Sequence, residues 1–219
     1  MVTYESIRKN AAVKKYIEAA DSTLRALGYT EHSTAHVTRV AETAGLLLER
    51  LLYDARMAEL ARIAGYLHDI GNLVNRIDHS QSGAVMAFRI LDKEGMDPAE
   101  IAAVVSAIGN HDEGTGVPVN PVAAALILAD KSDVRRSRVR NPDQASFDIH
   151  DRVNYSVHET DLDLDIEQKT LTLRLEIDTA YGSVMDFFEI FLTRMTMCKN
   201  AARTLDLNFK LVINGQPVL

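Results

Sequence analysis

The segment Ala64-Gly65-Tyr66-Leu67-His68-Asp69-Ile70-Gly71 places an imidazole and a carboxylate side by side where an apolar run ends. The run from Ala58 to Leu67 is apolar enough to form a buried helix face, so the His68-Asp69 pair stands at the margin of a core. Both side chains can bind a divalent metal, and one carboxylate can reach two metals at once. What the pair does therefore depends on what the flanking helices carry.

Apolar residues recur at helical spacing on both sides of this segment, as far as about residue 145. The clearest helix start is Asp97-Pro98-Ala99-Glu100, which combines an N-cap aspartate, a proline at the first helical position and an acid in the first turn. The expected helices cover residues 3–27, 34–52, 55–69, 80–93, 98–108 and 122–134. The pattern predicts a mainly α protein in which residues 1–145 form a helical bundle.

The periodicity changes after the turn Asn141-Pro142-Asp143. Apolar residues alternate at 153–157, 162–166 and 171–177, which predicts strands, and residues 182–202 read as one apolar helix before a last strand near 209–213. The sequence thus predicts a small C-terminal α+β appendage of β-β-α-β order over residues 146–219. This appendage could cover an active site, form a dimer surface or complete the core.

Composition narrows the functional classes. The net charge of −7 argues against bulk nucleic-acid binding, and the single cysteine, Cys198, excludes an internal disulfide and a cysteine-based metal site. No apolar run has the length of a membrane span, and the first ten residues are polar. We expect a cytoplasmic protein without a membrane partner, and the strand edges of the appendage make a homo-oligomer plausible.

Metal-ligating side chains mark the ends of successive helices. The set contains four imidazoles and two carboxylates: His36, His68, Asp69, His79, His111 and Asp130. That is too many for one closed tetrahedral zinc, and it suits two ions that share a bridging carboxylate. Mixed nitrogen and oxygen ligands favour Mn, Fe, Co, Ni or Zn over Mg. The other histidines, His32, His150 and His158, have no place in this series and are expected at the surface.

The order of these residues resembles a known family. His36, the His68-Asp69 pair and Asp130 in the run 127–131 resemble the H…HD…D pattern of the HD-domain superfamily of metal-dependent phosphohydrolases. The similarity covers roughly residues 34–136 and implies the HD-type helical bundle for residues 1–145. His79 and His111 resemble the additional ligands of two-metal members, which include the HD-GYP cyclic-dinucleotide phosphodiesterases and the small hydrolases of symmetrical dinucleoside tetraphosphates.

The chain departs from the HD-GYP pattern at two places. Gly71-Asn72 stands where those proteins have a Gly-Lys pair, so their phosphate-binding lysine is missing. His111 is followed by Asp112-Glu113-Gly114 and lacks both a second histidine and the Gly-Tyr-Pro signature. These departures argue against a cyclic dinucleotide as the substrate.

The resemblance implies an enzyme that hydrolyses phosphoric esters or anhydrides, a phosphomonoesterase or phosphodiesterase acting on a small-molecule phosphate or nucleotide through a metal-activated water. In that reading Asp69 and His68 are catalytic, and Asp69 bridges two divalent ions. His36, His68 and Asp130 would hold one ion, and His79 and His111 the other.

The same reading assigns supporting roles to residues beside the ligands. Lys131, Arg135 and Arg136 follow Asp130 and are candidates for phosphate contacts. An equally good interpretation of the basic cluster 135–140 is a solvent-exposed charged turn. Asp112 or Glu113 could orient a ligating histidine or relay a proton.

Two other functions fit parts of the sequence. A non-catalytic regulatory module would bind a ligand without turnover, with the metal in a structural or sensing role. A di-iron oxygenase, which a few HD-type proteins resemble, would show an oxygen-dependent reaction and a mixed-valent iron signal.

Overall fold

The protein, described by a computed structural model over residues 1–219, is a bundle of helices followed by a small sheet. The helices of the bundle are α1 (Tyr4–Lys9), α2 (Ala11–Ala26), α3 (Thr34–Arg50), α4 (Ala55–Leu67), α5 (His79–Lys93), α6 (Pro98–Gly109) and α7 (Pro121–Lys131). The C-terminal part contains α8 (Ile149–Ser156), β1 (Val157–Asp165), β2 (Thr170–Ile177), α9 (Val184–Thr204), β3 (Asn208–Ile213) and β4 (Gln216–Pro217). Short 3₁₀ turns cover Ile70–Leu73, Arg136–Arg138 and Gln144–Ser146. The mainly α fold with a small C-terminal α+β part is confirmed.

Polar caps begin most of the helices at the expected places. The carboxylates of Asp54 and Asp97 accept hydrogen bonds from first-turn amides of α4 and α6, and Ser33 does the same for α3. The single helix expected over residues 3–27 is divided at Asn10, whose side chain accepts from the amides of Ala12 and Val13. A good N-cap inside an amphipathic run therefore starts a second helix.

Helix α7 is the centre of the bundle, with α3, α4, α6 and α9 packed around it. Its residues from Val122 to Ala129 are buried on every side, as expected for a helix that is apolar all round. Helices α3 and α4 approach closely at Gly65, where a Cβ atom would lie 2.7 Å from the Cα atom of Ala41. This contact fixes the end of α4, and with it the His68-Asp69 pair, against α3.

A second close approach sets the position of α5. The 3₁₀ turn that follows Asp69 brings Gly71 against the first turns of α5, where a Cβ atom would overlap the carbonyl oxygen of His79 and the amide nitrogen of Gly83. Gly71 therefore does more than end a helix, because its missing side chain lets His79 lie beside the His68-Asp69 pair.

The four strands form one sheet in the order β1-β2-β3-β4. β1 and β2 form the expected antiparallel hairpin, β3 pairs parallel to β2 after the crossover through α9, and the two-residue β4 completes the edge. The alternation at residues 153–157 was assigned wrongly to a strand. Asp148 caps a helix there, and the buried residues Val153 and Val157 stand four apart, a spacing that fits a helical turn as well as it fits a strand.

One apolar core of 55 residues includes side chains from the bundle, from α9 and from the sheet. Cys198 lies in this core as a free thiol. The division of the chain near residue 145 stays a prediction, because both parts contribute to the same core. None of the helices combines the length and the apolar character needed to cross a membrane.

Candidate metal centre

The six ligand candidates come together at one end of the bundle. His36 lies in the first turn of α3, the His68-Asp69 pair follows α4, His79 opens α5, His111 follows α6, and Asp130 lies in the last turn of α7. Five of them are no more than 5% exposed, and the side chain of Asp130 is 12% exposed. Five different helix ends thus supply one buried polar cluster.

The carboxylate of Asp69 stands between two pairs of histidines. Its Oδ2 atom lies 3.6 Å from Nε2 of His36 and 3.2 Å from Nε2 of His68. Its Oδ1 atom lies 3.6 Å from Nε2 of His79 and 4.0 Å from Nε2 of His111. Asp130 joins the first pair, since its Oδ1 atom lies 3.4 Å from His36 and 3.6 Å from His68.

The hydrogen bonds of the outer ring nitrogens determine the tautomers. The Nδ1 atoms of His68, His79 and His111 lie 2.8, 3.0 and 2.6 Å from the backbone carbonyl oxygens of Gly65, Arg76 and Ile108. Nδ1 of His36 lies 2.7 Å from Oδ2 of Asp133. Carbonyl and carboxylate oxygens only accept, so each Nδ1 carries a proton and each ring directs its Nε2 atom, the potential metal ligand, into the cluster.

Two of the four inward Nε2 atoms have no hydrogen-bond donor from the protein, whereas that of His79 lies 3.3 Å from Nη1 of Arg76. Nε2 of His36 and Nε2 of His68 are fully buried without a hydrogen-bond partner. Nε2 of His79 lies 3.2 Å from Nε2 of His111, where two lone pairs repel unless a proton or cation lies between them. Two ligands of one ion, each about 2.1 Å from it, lie roughly 3–3.5 Å apart, so the observed separations fit a divalent metal.

Two overlapping groups of three ligand atoms each lie within 4.8 Å of one another, His36 with His68 and Asp130, and His68 with Asp69 and His111. The cluster could therefore hold a metal ion. His68 belongs to both groups, while the sequence had assigned the second ion to His79 and His111.

The charges of the cluster favour a cation. Burial disfavours the charged form of His68, but the carboxylates of Asp69 and Asp130 outweigh it and raise the pKa of His68 to about 10. For His111, burial and the positive charge on His68 lower the pKa to about 3. The pKa values of the neighbouring imidazoles thus differ strongly, and the carboxylates of Asp69 and Asp130 stabilise a positive charge placed between them.

A comparison with protein families identifies this part of the chain. Residues 34–135 match the HD domain family. This segment is an HD domain. All six ligand candidates lie inside it, whereas α8, α9 and the sheet follow it in the chain.

The chain is also similar to two other proteins, one of known sequence and one of known structure. An uncharacterized protein of Methanocaldococcus jannaschii is 27% identical over 172 residues, which are 67% of this chain and 65% of that relative. The match therefore spans just under two thirds of the relative's length. The crystal structure of a predicted HD superfamily hydrolase from an uncultured Thermotogales bacterium is 25% identical, with a TM-score of 0.42 over 62% of this chain and 75% of the other.

Asp133 is a functional candidate that the sequence reading missed. Burial alone would raise the pKa of its carboxyl, but the hydrogen bond from His36 and the nearby guanidinium groups of Arg138 and Arg135 outweigh it and lower the pKa. Asp133 thus orients the first histidine of the HD domain and keeps its Nδ1 atom protonated. The feature of the sequence that indicates Asp133 is its position three residues after Asp130, a separation close to one helical turn.

Of the three phosphate-contact candidates, only Lys131 faces the cluster. Its Nζ atom lies 2.8 Å from Oδ2 of Asp130 and 3.2 Å from Oε1 of Glu113. Arg135 pairs with Asp133 and Glu31 instead.

Arg136 points away from the HD domain cluster. Its guanidinium lies 4.4 Å from the ring centre of Tyr155, and its Nε atom donates to the Tyr155 carbonyl. The structure therefore does not bring Arg135 or Arg136 to the cavity beside the ligands. Arg138, a member of the basic cluster 135–140, lines that cavity together with Arg76 and Arg194, which the sequence did not indicate.

The two acids expected to support a ligating histidine also border the cluster. Oδ1 of Asp112 lies 3.8 Å from Nε2 of His79, whereas Glu113 pairs with Lys131 and, at 2.5 Å, with Arg194. His32, expected at the surface, is half-buried and lines the cavity, with its ring packed edge-on against His36. That expectation was wrong for His32 because the connector before α3 folds over the site.

Proposed function

We propose that the chain is a metal-dependent hydrolase of phosphoric esters or anhydrides that acts on a nucleotide or a related small phosphate. The observation that carries the proposal is the convergence of four Nε2 atoms on the two oxygens of Asp69. Such a donor set suits two divalent transition-metal ions that share one carboxylate.

The residues fall into two groups around Asp69. His36, His68 and Asp130 would hold one ion, and His79 and His111 would hold the other. Bound there, divalent ions supply Lewis-acid polarisation of a phosphoryl oxygen and a water that deprotonates near neutral pH. Asp69 is the residue common to both groups, since its Oδ2 faces the first and its Oδ1 faces the second.

Lys131 adds a fixed positive charge to this site. Burial opposes its ionisation, but Asp130 and Glu113 outweigh it and raise the pKa of Lys131, so the ammonium group stays charged. An ammonium held by two carboxylates in a buried site stabilises negative charge that develops on a phosphoryl group. His68 is expected to act with Asp69 at the reacting phosphorus, and Asp112 is close enough to His79 to assist it.

Metal analysis combined with turnover tests this proposal. Protein stripped with a chelator and reloaded in turn with Mn, Fe, Co, Ni or Zn should bind up to two ions per chain. The reloaded protein should release phosphate or nucleotide from a panel of phosphomonoesters, phosphodiesters and nucleotides. Absence of turnover with every metal would contradict the proposal, and ligand binding without turnover would favour the regulatory alternative.

Replacing Asp69 provides the sharper test. Asp69→Ala should lower kcat/KM on the order of a hundredfold or more and release at least one metal, because both halves of the ligand set lose their shared carboxylate. Asp92→Ala, an exposed acid on α5, is the matched control and should leave metal content and turnover unchanged. Full activity in the folded Asp69→Ala protein would refute the assignment.

A further inference from the structure

A cavity of about 410 Å³ lies beside the candidate metal centre. It shares four lining residues with the small cavity around the ligands: His32, Arg76, Arg138 and Arg194. The outer wall comes from the C-terminal part of the chain, which supplies Asp148, His150, Asp151 and Asn154 at α8 and Phe191 and Arg194 on α9. The volume suits a small organic ligand.

Three guanidinium groups surround the junction between the two cavities, in a protein whose net charge is −7. Arg76 has no carboxylate within 4.0 Å, and its Nη1 atom lies 3.3 Å from both Oδ1 of Asn72 and Nε2 of His79. Arg138 is buried and donates to the backbone carbonyls of Glu31 and Asp133. Planar guanidinium groups bind phosphate oxygens in pairs, so the junction is built for an anion.

Arg194 is held in this junction by an acid of the bundle. Its Nε atom lies 2.5 Å from Oε1 of Glu113, which also pairs with Lys131, and its guanidinium packs 4.5 Å from the ring centre of Phe191. One carboxylate thus fixes two cations on the same side of the ligand cluster. The arginine comes from α9, outside the HD domain, and so ties the appendage to the site.

The outer end of the cavity has a different chemistry. Asp148, Asp151, Asn154 and His150 line it. Carboxylates repel a second phosphate group and accept hydrogen bonds from hydroxyl or amino groups. The lining of the cavity therefore changes from basic side chains at its inner end to carboxylates and other polar side chains at its outer end.

We propose that the C-terminal part completes a substrate site for a phosphate monoester of a hydroxyl-bearing body, a sugar or nucleoside monophosphate. Arg76 and Arg194 bind the phosphate oxygens beside the metal centre, and Asp151 with Asn154 binds the hydroxyl groups of the body. This assignment rests on the proposed function and specifies its substrate class. It also gives the appendage a role, which is to form the wall that selects the substrate.

Calorimetric binding to the full-length, Mn²⁺-loaded protein tests this assignment. The probes are inorganic phosphate, ribose 5-phosphate and adenosine 5′-monophosphate. At least one monoester should bind about tenfold or more tightly than inorganic phosphate. Arg194→Ala and Arg76→Ala should each weaken all probes by roughly tenfold or more, the effect of one charged hydrogen-bonding partner.

Further variants separate the two ends of the cavity. Asp151→Asn keeps the side-chain shape and should weaken only the monoesters, leaving inorganic phosphate unchanged. Arg194→Lys keeps the charge beside Glu113 and should recover part of the lost affinity, which a purely structural role would not require. Arg203→Ala, an exposed arginine on the same helix, is the control and should bind every probe normally.

The outcomes distinguish this inference from the proposed function. Equal affinity for inorganic phosphate and both monoesters, or wild-type binding in the folded Arg76→Ala and Arg194→Ala proteins, would overturn the substrate site. The expected binding pattern without hydrolysis of any probe would uphold the site and contradict the proposed reaction. Loss of monoester binding in Asp151→Asn without loss of phosphate binding would support the assignment of the outer wall.

Discussion

The hydrogen bond between Asp133 and His36 offers a direct test of the proposed metal site. Nδ1 of His36 donates to Oδ2 of Asp133 across 2.7 Å, and both side chains are at most 2% exposed. Removing the carboxylate by Asp133→Ala leaves the imidazole free to rotate or to change tautomer, so that Nε2 no longer presents its lone pair consistently.

The size of the effect follows from this geometry. A buried hydrogen bond to a charged acceptor contributes about 1.5–3 kcal/mol, which corresponds to roughly a 10- to 100-fold change in metal affinity. Asp133→Asn should lose less metal affinity than Asp133→Ala. The amide oxygen can still accept a hydrogen bond from Nδ1 of His36, but it carries no full charge. The expected order of metal affinity is therefore wild type, then Asp133→Asn, then Asp133→Ala.

Competition between the protein and a fluorescent chelator for Zn²⁺ or Mn²⁺ measures this order. The melting temperature of the metal-free variants must be recorded as well, because Asp133 also contacts Arg135 at 2.8 Å and its loss can destabilise the fold. Asp92→Ala serves as the control for loss of an acid. Wild-type metal affinity in a folded Asp133→Ala protein would refute the role assigned to this hydrogen bond.

Three other perturbations have definite expected outcomes. Gly71→Ala should lower the melting temperature by roughly 6–12 °C, as expected for about 3 kcal/mol of overpacking against α5, whereas Gly109→Ala meets only ordinary contacts and should be neutral or stabilising in thermal denaturation. Burial raises the pKa of the Cys198 thiol to about 12, so a thiol reagent at pH 8 should modify it only after denaturation, and the stability should fall as pH rises from the unfolded value toward 12 because only the unfolded chain ionises there. Rapid modification of the native protein would contradict this. Removing metal with a chelator should lower the melting temperature by about 5–10 °C, the effect of ions present at about 100 times their dissociation constant, and an unchanged melting curve would count against tight binding.

The sequence predicted a helix start or a strand correctly where one local pattern had no competing pattern. The start of α6 at Asp97-Pro98 and the hairpin of β1 and β2 were predicted because capping chemistry and long alternation have few alternatives. The split at Asn10 and the helix at residues 149–156 were missed. In each case a residue that caps a helix, Asn10 or Asp148, lies within or beside a run of regularly spaced apolar residues. The spacing of the apolar residues alone does not show where the helix begins, and a short apolar run fits either a helix or a strand.

The sequence by itself determined which side chains could hold a metal, because His36, His68-Asp69, His79, His111 and Asp130 appear in order at helix ends. Only the tertiary structure decided how they meet, since Gly65 and Gly71 allow backbone approaches that place Asp69 between two pairs of imidazoles. It also decided which cations face the site.

Arg135 and Arg136 closely follow Asp130 in sequence but point elsewhere, whereas Arg194, which is 64 residues after Asp130, reaches the cavity from α9. A side chain's direction depends on the packing of its whole element, and distant residues meet only when the core has formed. The candidate metal ligands could therefore be predicted from the sequence, while the proposed substrate wall could be found only from the tertiary structure.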